Sequence, residues 1–298
     1  MYKIIFSLLM ASFSLMGTAQ SVGIGTNTPA SSAQLEINST TKGLLPPRMT
    51  FVQRNAIQSS VAGLMVYCTD CGINGGEPQY YNGTNWLNMI GGNASIPSVG
   101  ICDQLWATQN LDVSTYRDGT VIPEVPLDAN WATLTTGAWC YYANDPANGV
   151  IYGKLYNWYA VAGIYDAASF NNPSLRKKLA PQGWHVPSDP EWNILTKCID
   201  PSADTTTGTN IAGTAMKSTS GWNSGGNGTN SSGFAGLPGG IRNGSGPFGT
   251  IGYSGYWWSS TEKDASNAFY RNLFYNGSNL RINNLIKIDG FSVRCLRD

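Results

Sequence analysis

Residues 290–295 read Gly290-Phe291-Ser292-Val293-Arg294-Cys295, the plainest strand signal in the chain. Phe291, Val293 and Cys295 alternate with Ser292 and Arg294, which predicts one apolar and one polar face. Before it, residues 267–275 and Tyr256-Trp257-Trp258-Ser259-Ser260 read as two further strands. Between the first two of these three stretches lies an Asn-rich, turn-like run in which Leu285, Ile286 and Ile288 share no period that would bury them together. Exposed apolar and aromatic side chains framed by Asn and Ser suit a binding face. An ordinary, partly buried strand pair is the competing reading.

Further upstream, residues 208–256 hold 15 of the 35 Gly. Such composition suits a flexible linker, but Trp222, Phe234, Leu237, Ile241, Phe248 and Tyr253 interrupt it regularly. That pattern predicts ordered loops pinned by buried aromatics. Ser188 and Glu191 form a Ser-x-x-Glu capping box with Pro190 in the first turn, and Trp192, Leu195 and Ile199 share one face, so a helix starts here. A second helix is expected over residues 156–164. Strands, two helices and long loops make the fold class α+β.

A polar Gly/Pro-containing stretch at residues 91–97 separates this region from a differently composed one, and nine of the 10 Trp follow it. In the earlier region Thr50 and Gln53 make a capping box for a helix over residues 51–57. Gly63-Leu64-Met65-Val66-Tyr67 and Gln79-Tyr80-Tyr81 read as strands, and Asn82-Gly83 as a tight turn towards Trp86. So little apolar material makes a poor core alone, so this module calls for a neighbour or an oligomer. At the start, Lys3, the apolar run of residues 4–16 and Gly17-Thr18-Ala19 have the order of a secretory signal peptide. The run is shorter than the roughly 20 apolar residues of a membrane span. The division expected is a signal peptide over 1–19, a β-rich stalk over 20–92, a linker over 93–99 and a binding domain over 100–298. The mature protein is then exported, to the cell surface or beyond it.

Charge and cysteine narrow the function. Lys and Arg number 18 against 18 Asp and Glu, and a zero balance with no expected Lys/Arg cluster gives no basic surface for nucleic acid. Six Cys suit an oxidising compartment. Cys68 and Cys71, in Cys-Thr-Asp-Cys, read either as a local disulfide or as half of a zinc site. With one His in the protein and no second Cys pair, no metal or cofactor is expected. Cys102, Cys140, Cys198 and Cys295 are scattered, each a bridge or a buried thiol. Ser260-Thr261-Glu262-Lys263 has the Ser-x-x-Lys spacing of penicillin-recognising enzymes but follows a strand, where that motif opens a helix. His185, the only His, reads as a hydrogen-bonded structural residue.

Several motifs in order carry a resemblance. Gln109-Asn110-Leu111, Tyr152-Gly153-Lys154-Leu155-Tyr156-Asn157-Trp158, Gly183-Trp184-His185-Val186-Pro187, Glu191-Trp192, Gly255-Tyr256-Trp257-Trp258-Ser259-Ser260 and residues 290–295 resemble the Fibrobacter succinogenes major paralogous domain. The resemblance implies a C-type-lectin-like fold, a branch of the superfamily that includes formylglycine-generating enzymes, with first and last strands close together. The reactive Cys pair of those enzymes has no match here, nor does a Glu-Pro-Asn or Gln-Pro-Asp calcium motif, so the domain is expected to bind rather than catalyse. Val22-Gly23-Ile24-Gly25-Thr26, Lys42-Gly43-Leu44-Leu45-Pro46-Pro47-Arg48-Met49, Gln53-Arg54-Asn55-Ala56-Ile57 and Tyr80-Tyr81-Asn82-Gly83-Thr84-Asn85-Trp86 resemble a tail-fibre-like module, which implies presentation and a homo-oligomer.

Residues 267–289 further resemble the variable region of retroelement-diversified proteins, with the composition counted over residues 264–289. Six of these 26 residues are Asn, and only Lys287 lies outside the set reachable by adenine-directed mutation of Asn codons. The expected ligand-binding residues are Tyr270, Phe274, Gly277, Arg281, Ile282, Leu285, Ile286 and Ile288, facing an unknown protein or glycan on a cell surface. The alternatives are a structural fibre or tail component and, last, an oxidase.

Overall fold

The computed structural model describes residues 21–71, 76–89 and 96–298. The expected signal peptide and residues 93–95 of the expected linker lie outside them. The chain divides into two compact units, Met1–Pro46 and Pro47–Asp298. Among the described residues no helix is long and apolar enough to cross a membrane.

In the first unit β1 (Val22–Ile24) and β2 (Leu35–Ile37) pair in parallel, with Val22 opposite Leu35 and Ile24 opposite Ile37. Alternate strand residues share a side, so these four form one apolar face. It is uncovered in the single chain: their exposures are 53, 55, 54 and 38% for Val22, Leu35, Ile24 and Ile37.

The second unit opens with a four-stranded sheet of β3 (Arg48–Met49), β4 (Met65–Cys68), β5 (Glu77–Tyr81) and β6 (Trp86–Asn88), in that order. The short helix α1 (Phe51–Asn55) follows β3. Gln53 N–H donates to Thr50 Oγ1 and Thr50 N–H donates to Gln53 Oε1, as the capping box requires. The Asn82 side chain accepts from the amides of Thr84 and Asn85, turning β5 into β6. Cys68 and Cys71 form a disulfide, which resolves that pair against zinc.

Next come the hairpin β7 (Ser98–Ile101) and β8 (Gln104–Ala107), α2 (Asp128–Trp131), β9 (Trp139–Cys140), α3 (Pro146–Tyr152), β10 (Leu155–Tyr156), α4 (Trp158–Val161), α5 (Ala167–Asn171), β11 (Trp184–His185) and α6 (Asp189–Ile199). The chain ends with α7 (Ala212–Met216), β12 (Ile241–Arg242), β13 (Phe248–Gly249), β14 (Ser254–Glu262), β15 (Asn267–Phe274), β16 (Arg281–Ile286) and β17 (Leu296–Arg297). One sheet has the order β11-β17-β8-β7, so the first and last strands of this region are neighbours through β8; another is β14-β15-β16. Small sheets, few helices and long loops give an α+β architecture.

Helix α6 forms where the capping box places it. The Glu191 carboxylate accepts from both Ser188 N–H and Ser188 O–H at 2.7 Å, and Trp192 and Leu195 are buried. The helix expected over residues 156–164 splits, because Tyr156 pairs in β10 and Asn157 then caps the single turn of α4, accepting from the Ala160 amide at 3.0 Å. The Gly-rich loops are ordered. Phe234 is fully buried among Trp106, Trp192 and Trp257, with centroids 5.6–5.8 Å apart. Gly255 is required by space: a Cβ there would lie 2.4 Å from the Trp257 ring.

The terminal segment departs from expectation. Regular strand is confined to β17, yet residues 290–295 run extended through the domain, bridging Gly290 to Arg242, Phe291 to Tyr156 and Ser292 to Trp257. The amides of Leu111 and Ala107 donate to the carbonyls of Val293 and Cys295. Phe291, Val293 and Cys295 are core, but the polar side is buried too, with Ser292 at 2% and Arg294 at 0% exposure. Arg294 donates to the carbonyls of Ala107 (2.9 Å) and Phe234 (2.5 Å) and to Asn110 Oδ1 (3.0 Å). Replacing it by Met leaves the buried carbonyls of Ala107 and Phe234 short of a donor, while Asn110 Oδ1 keeps its bond from Trp257 Nε1. Arg294→Met should therefore lower unfolding free energy by about 3 kcal/mol or more in urea titrations, against tenths for an exposed Arg.

Candidate ligand-binding face

Strand β14 carries the wall on which the candidate residues stand. Trp258 points into a cluster with Tyr156, Tyr270 and Phe291, while its neighbour Trp257 points into the other, with Trp106, Trp192 and Phe234. Successive residues of a strand face opposite sides, so this one pair anchors the sheet to two cores. Strand β15 is therefore buried on both sides through Ala268, Tyr270, Arg271, Asn272 and Leu273. Arg271 donates to Asp189 Oδ1 (2.5 Å) and Asn193 Oδ1 (2.7 Å), fixing β15 to the start of α6.

Strand β16 pairs only with β15 and forms the sheet edge. Register places Arg281 opposite Asn272, Ile282 opposite Arg271, Asn283 opposite Tyr270 and Leu285 opposite Ala268. The pleat then divides the expected binding residues. Phe274, Arg281 and Leu285 share the side of Tyr270, whereas Ile282 and Ile286 lie on the other. Tyr270 is not displayed: it is 6% exposed, its ring meets Phe291 at 4.9 Å, and burial pushes its phenol up to about 12. Leu285 packs on the same core and Ile288 on the Trp131 cluster. These three belong to packing, because each side chain meets an aromatic cluster of the core.

What is left outward is the edge and its approach. Arg281 is exposed, its guanidinium 4.5 Å over the half-exposed Phe274 ring. Asn276, Ser278, Asn283 and Asn284 are exposed, Gly277 and Ile282 are half-exposed, and Ile286 is 43% exposed. The Asn residues were missed because polar composition alone does not separate contact residues from solvated ones. The turn is held from beneath. Buried Lys217 donates to the carbonyls of Phe274, Tyr275 and Gly277 at 3.1–3.3 Å, and Asn210 bonds both the amide and the carbonyl of Leu280. Lys287 is buried as well, bonded to Glu262 and to the Ala265 carbonyl at 2.8 Å. Such a base presents side chains with little ordering left to be lost on binding.

Among the described residues the one cluster with metal-ligand spacing is Cys68, Asp70 and Cys71, whose thiols are spent in the disulfide. Cys102 pairs with Cys198, and Cys140 and Cys295 are buried free thiols pushed up to about 12 by desolvation. Nucleophilic thiolate is thus scarce at neutral pH. His185 bonds Asp298 Oδ1 (2.8 Å) and Glu191 Oε1 (2.9 Å), tying the chain end to the start of α6.

Residues 99–297 match the family model of the Fibrobacter succinogenes major domain. The chain belongs to that family. Residues 23–101 match the phage tail like trimerisation region, so a tail-type oligomerisation module precedes the Fibrobacter succinogenes major domain. No curated protein and no solved structure matches the chain. The motifs Gly-Trp-His-Val-Pro and Gly-Tyr-Trp-Trp-Ser-Ser of this major domain both supply core residues, among them Trp184, Val186, Trp257 and Trp258.

Asp289, at the foot of β16, gives a pH test of this arrangement. Its Oδ1 accepts from the Gly244 amide at 2.6 Å, while its Oδ2 is buried without a partner. Burial pushes the carboxyl from its ordinary 3.8 up to about 6, against a smaller lowering by the Gly244 N–H. The folded chain thus takes up this proton at higher pH than the unfolded chain. The stability Asp289 contributes is full below about pH 4 and is lost as pH rises through about 6. Asp289→Asn should raise the melting temperature at pH 7.5 and flatten its change between pH 4 and 6 relative to wild type, in thermal scans across that range.

Proposed function

We propose that this is an exported, trimeric surface or tail-type receptor whose major domain binds a cell-surface protein or glycan with the β16 edge and the turn before it. One observation carries the reading. Within residues 264–289, the side chains that lock the sheet (Tyr270, Arg271, Leu273, Lys287, Asp289) are buried, while Asn276, Ser278, Arg281, Asn283, Asn284 and Ile286 face outward on a braced base. Lys287, the residue outside the set reachable from Asn codons, is one of the locks, which supports retroelement diversification of the outward positions. The C-type-lectin-like assignment belongs to the same proposal and is supported by the adjacency of β7, β8 and β17 and by the long ordered loops. A binding role is favoured over oxidase chemistry by the burial of Cys140 and Cys295.

Trimerisation supplies the display. The face of Val22, Ile24, Leu35 and Ile37 has the exposed apolar character of an intersubunit surface, and all of it but Val22 lies in the residues that match the trimerisation region. Light scattering of the purified protein should give three chains per particle, and Ile24→Asp with Ile37→Asp should give one. A wild-type monomer contradicts the proposal.

Recognition is tested by screening the trimer against arrayed cell-surface proteins and glycans, then repeating the screen with Phe274→Asn and Arg281→Asn together. The double variant should lose at least about tenfold in affinity for any hit, the loss of one or two good contacts. Its melting temperature should stay within a few degrees of wild type. By contrast Tyr270→Asn should unfold the domain, since an aromatic taken from the core costs about 3–5 kcal/mol. A hit that the double variant binds with full affinity places recognition elsewhere.

A further inference from the structure

The expectation of no basic cluster is corrected: three of the 18 basic residues are consecutive, Arg176-Lys177-Lys178, although the chain has no net charge. They line a groove of about 500 Å³ together with Arg117, whose walls include Trp158, Trp184, Ser188, Glu191 and Ser260. This groove is separate from β16 in its lining and owes nothing to the reading above.

The cations there are mostly uncompensated. Arg117 donates to the carbonyls of Ala180 (3.0 Å), Pro181 (2.9 Å) and Trp184 (2.5 Å), which fix its position without cancelling its charge. Arg176 donates from Nε to the Ser169 carbonyl at 3.3 Å, and among the described residues no carboxylate meets it. Lys178 is exposed, and among the described residues its ammonium has no ion pair. Only Lys177 is paired, with Asp118, whose carboxyl that contact and the Thr120 amide hold down at about 2. Glu191, the lining carboxylate, is held by Ser188 and His185 and keeps its charge, so the three unpaired cations outnumber it. Three like charges around one concavity repel each other, and an anion relieves that repulsion.

The shape of the groove selects among anions. Its volume is that of a small-molecule or oligosaccharide site. Trp158 and Trp184 are buried, so no open aromatic face is offered for stacking a nucleobase or a neutral sugar ring. Recognition must then come from charge, with the planar Arg176 fork suited to a sulfate or carboxylate. We propose that this groove binds an acidic glycan through its sulfate or uronate groups.

The test uses the full-length protein on immobilised dextran sulfate, polygalacturonate and neutral dextran, at 50 and at 200 mM salt. Wild type should bind one or both acidic polymers, more weakly at the higher salt, and not neutral dextran. The two acidic polymers decide whether sulfate or carboxylate is the group held. Arg176→Ser with Lys178→Ser should weaken that binding about tenfold or more, the scale of lost charge-assisted contacts. Lys197→Ser with Lys263→Ser removes equal charge elsewhere and should leave binding within about twofold of wild type. Absence of binding to both acidic polymers overturns the proposal, and so does equal weakening by the two double variants. Circular dichroism of each variant should match wild type; if the groove variant is unfolded, Arg176→Lys and Lys178→Gln are measured in its place, with the same criterion.

Discussion

A guanidinium sealed inside the domain holds its distant parts together. Taking a cation out of water is costly, and burial pulls Arg294 down to about 9, so its positive charge survives at neutral pH only because acceptors replace the lost water. Those acceptors come from widely separated places: the Ala107 carbonyl, the Phe234 carbonyl and Asn110 Oδ1. Asn110 passes the constraint on, accepting from Trp257 Nε1 and donating to the Tyr152 carbonyl and to Ser292 Oγ. One side chain thereby fixes the β8 exit, a Gly-rich loop and β14 relative to the terminal segment. Loops as long as residues 217–240 can then be ordered with no more secondary structure than one 3-10 turn at Asn223–Gly225.

From that constraint follows a division of labour along residues 264–289. Within strand β15, Ala268, Tyr270 and Leu273 are clamped between two hydrophobic clusters and cannot be trimmed without opening a cavity. Strand β16 touches the sheet by one edge, and its turn is braced by Lys217 and Asn210, which bond main-chain atoms of residues 274–280 and not their side chains. Backbone bracing is indifferent to which side chain stands at Asn276, Ser278 or Asn283. A fold of this kind lets an exposed edge vary while its base does not, and a trimeric stem would multiply weak contacts by avidity.

Much of the frame was legible because it is local. The capping boxes at Thr50 and Ser188, the Asn82-Gly83 turn and the Trp257-Trp258 strand each follow from residues a few positions apart. The aromatics of the Gly-rich stretch also announced order. What was not legible depends on partners far away in sequence. Arg294 and Ser292 look solvent-facing beside Phe291 and Val293, and only Ala107, Asn110 and Phe234 show them buried. Tyr270 looks displayed in an Asn-rich run, but its ring fills the space left by Phe291 and Trp258. The helix expected over 156–164 gave way because Tyr156 is drawn into pairing with Cys140's neighbour Trp139 and with Phe291. At the candidate face the segment was found, but its inward and outward members were mixed, since strand register is a tertiary property.

The central claim is that one continuous segment separates packing from display. Saturation substitution of residues 264–289, scored by yield of folded protein, measures this directly. The account predicts intolerance at Ala268, Tyr270, Arg271, Leu273 and Lys287, and near-free substitution at Asn276, Ser278, Arg281, Asn283 and Asn284. If the second group proves as intolerant as the first, the edge is part of the core and the account is wrong.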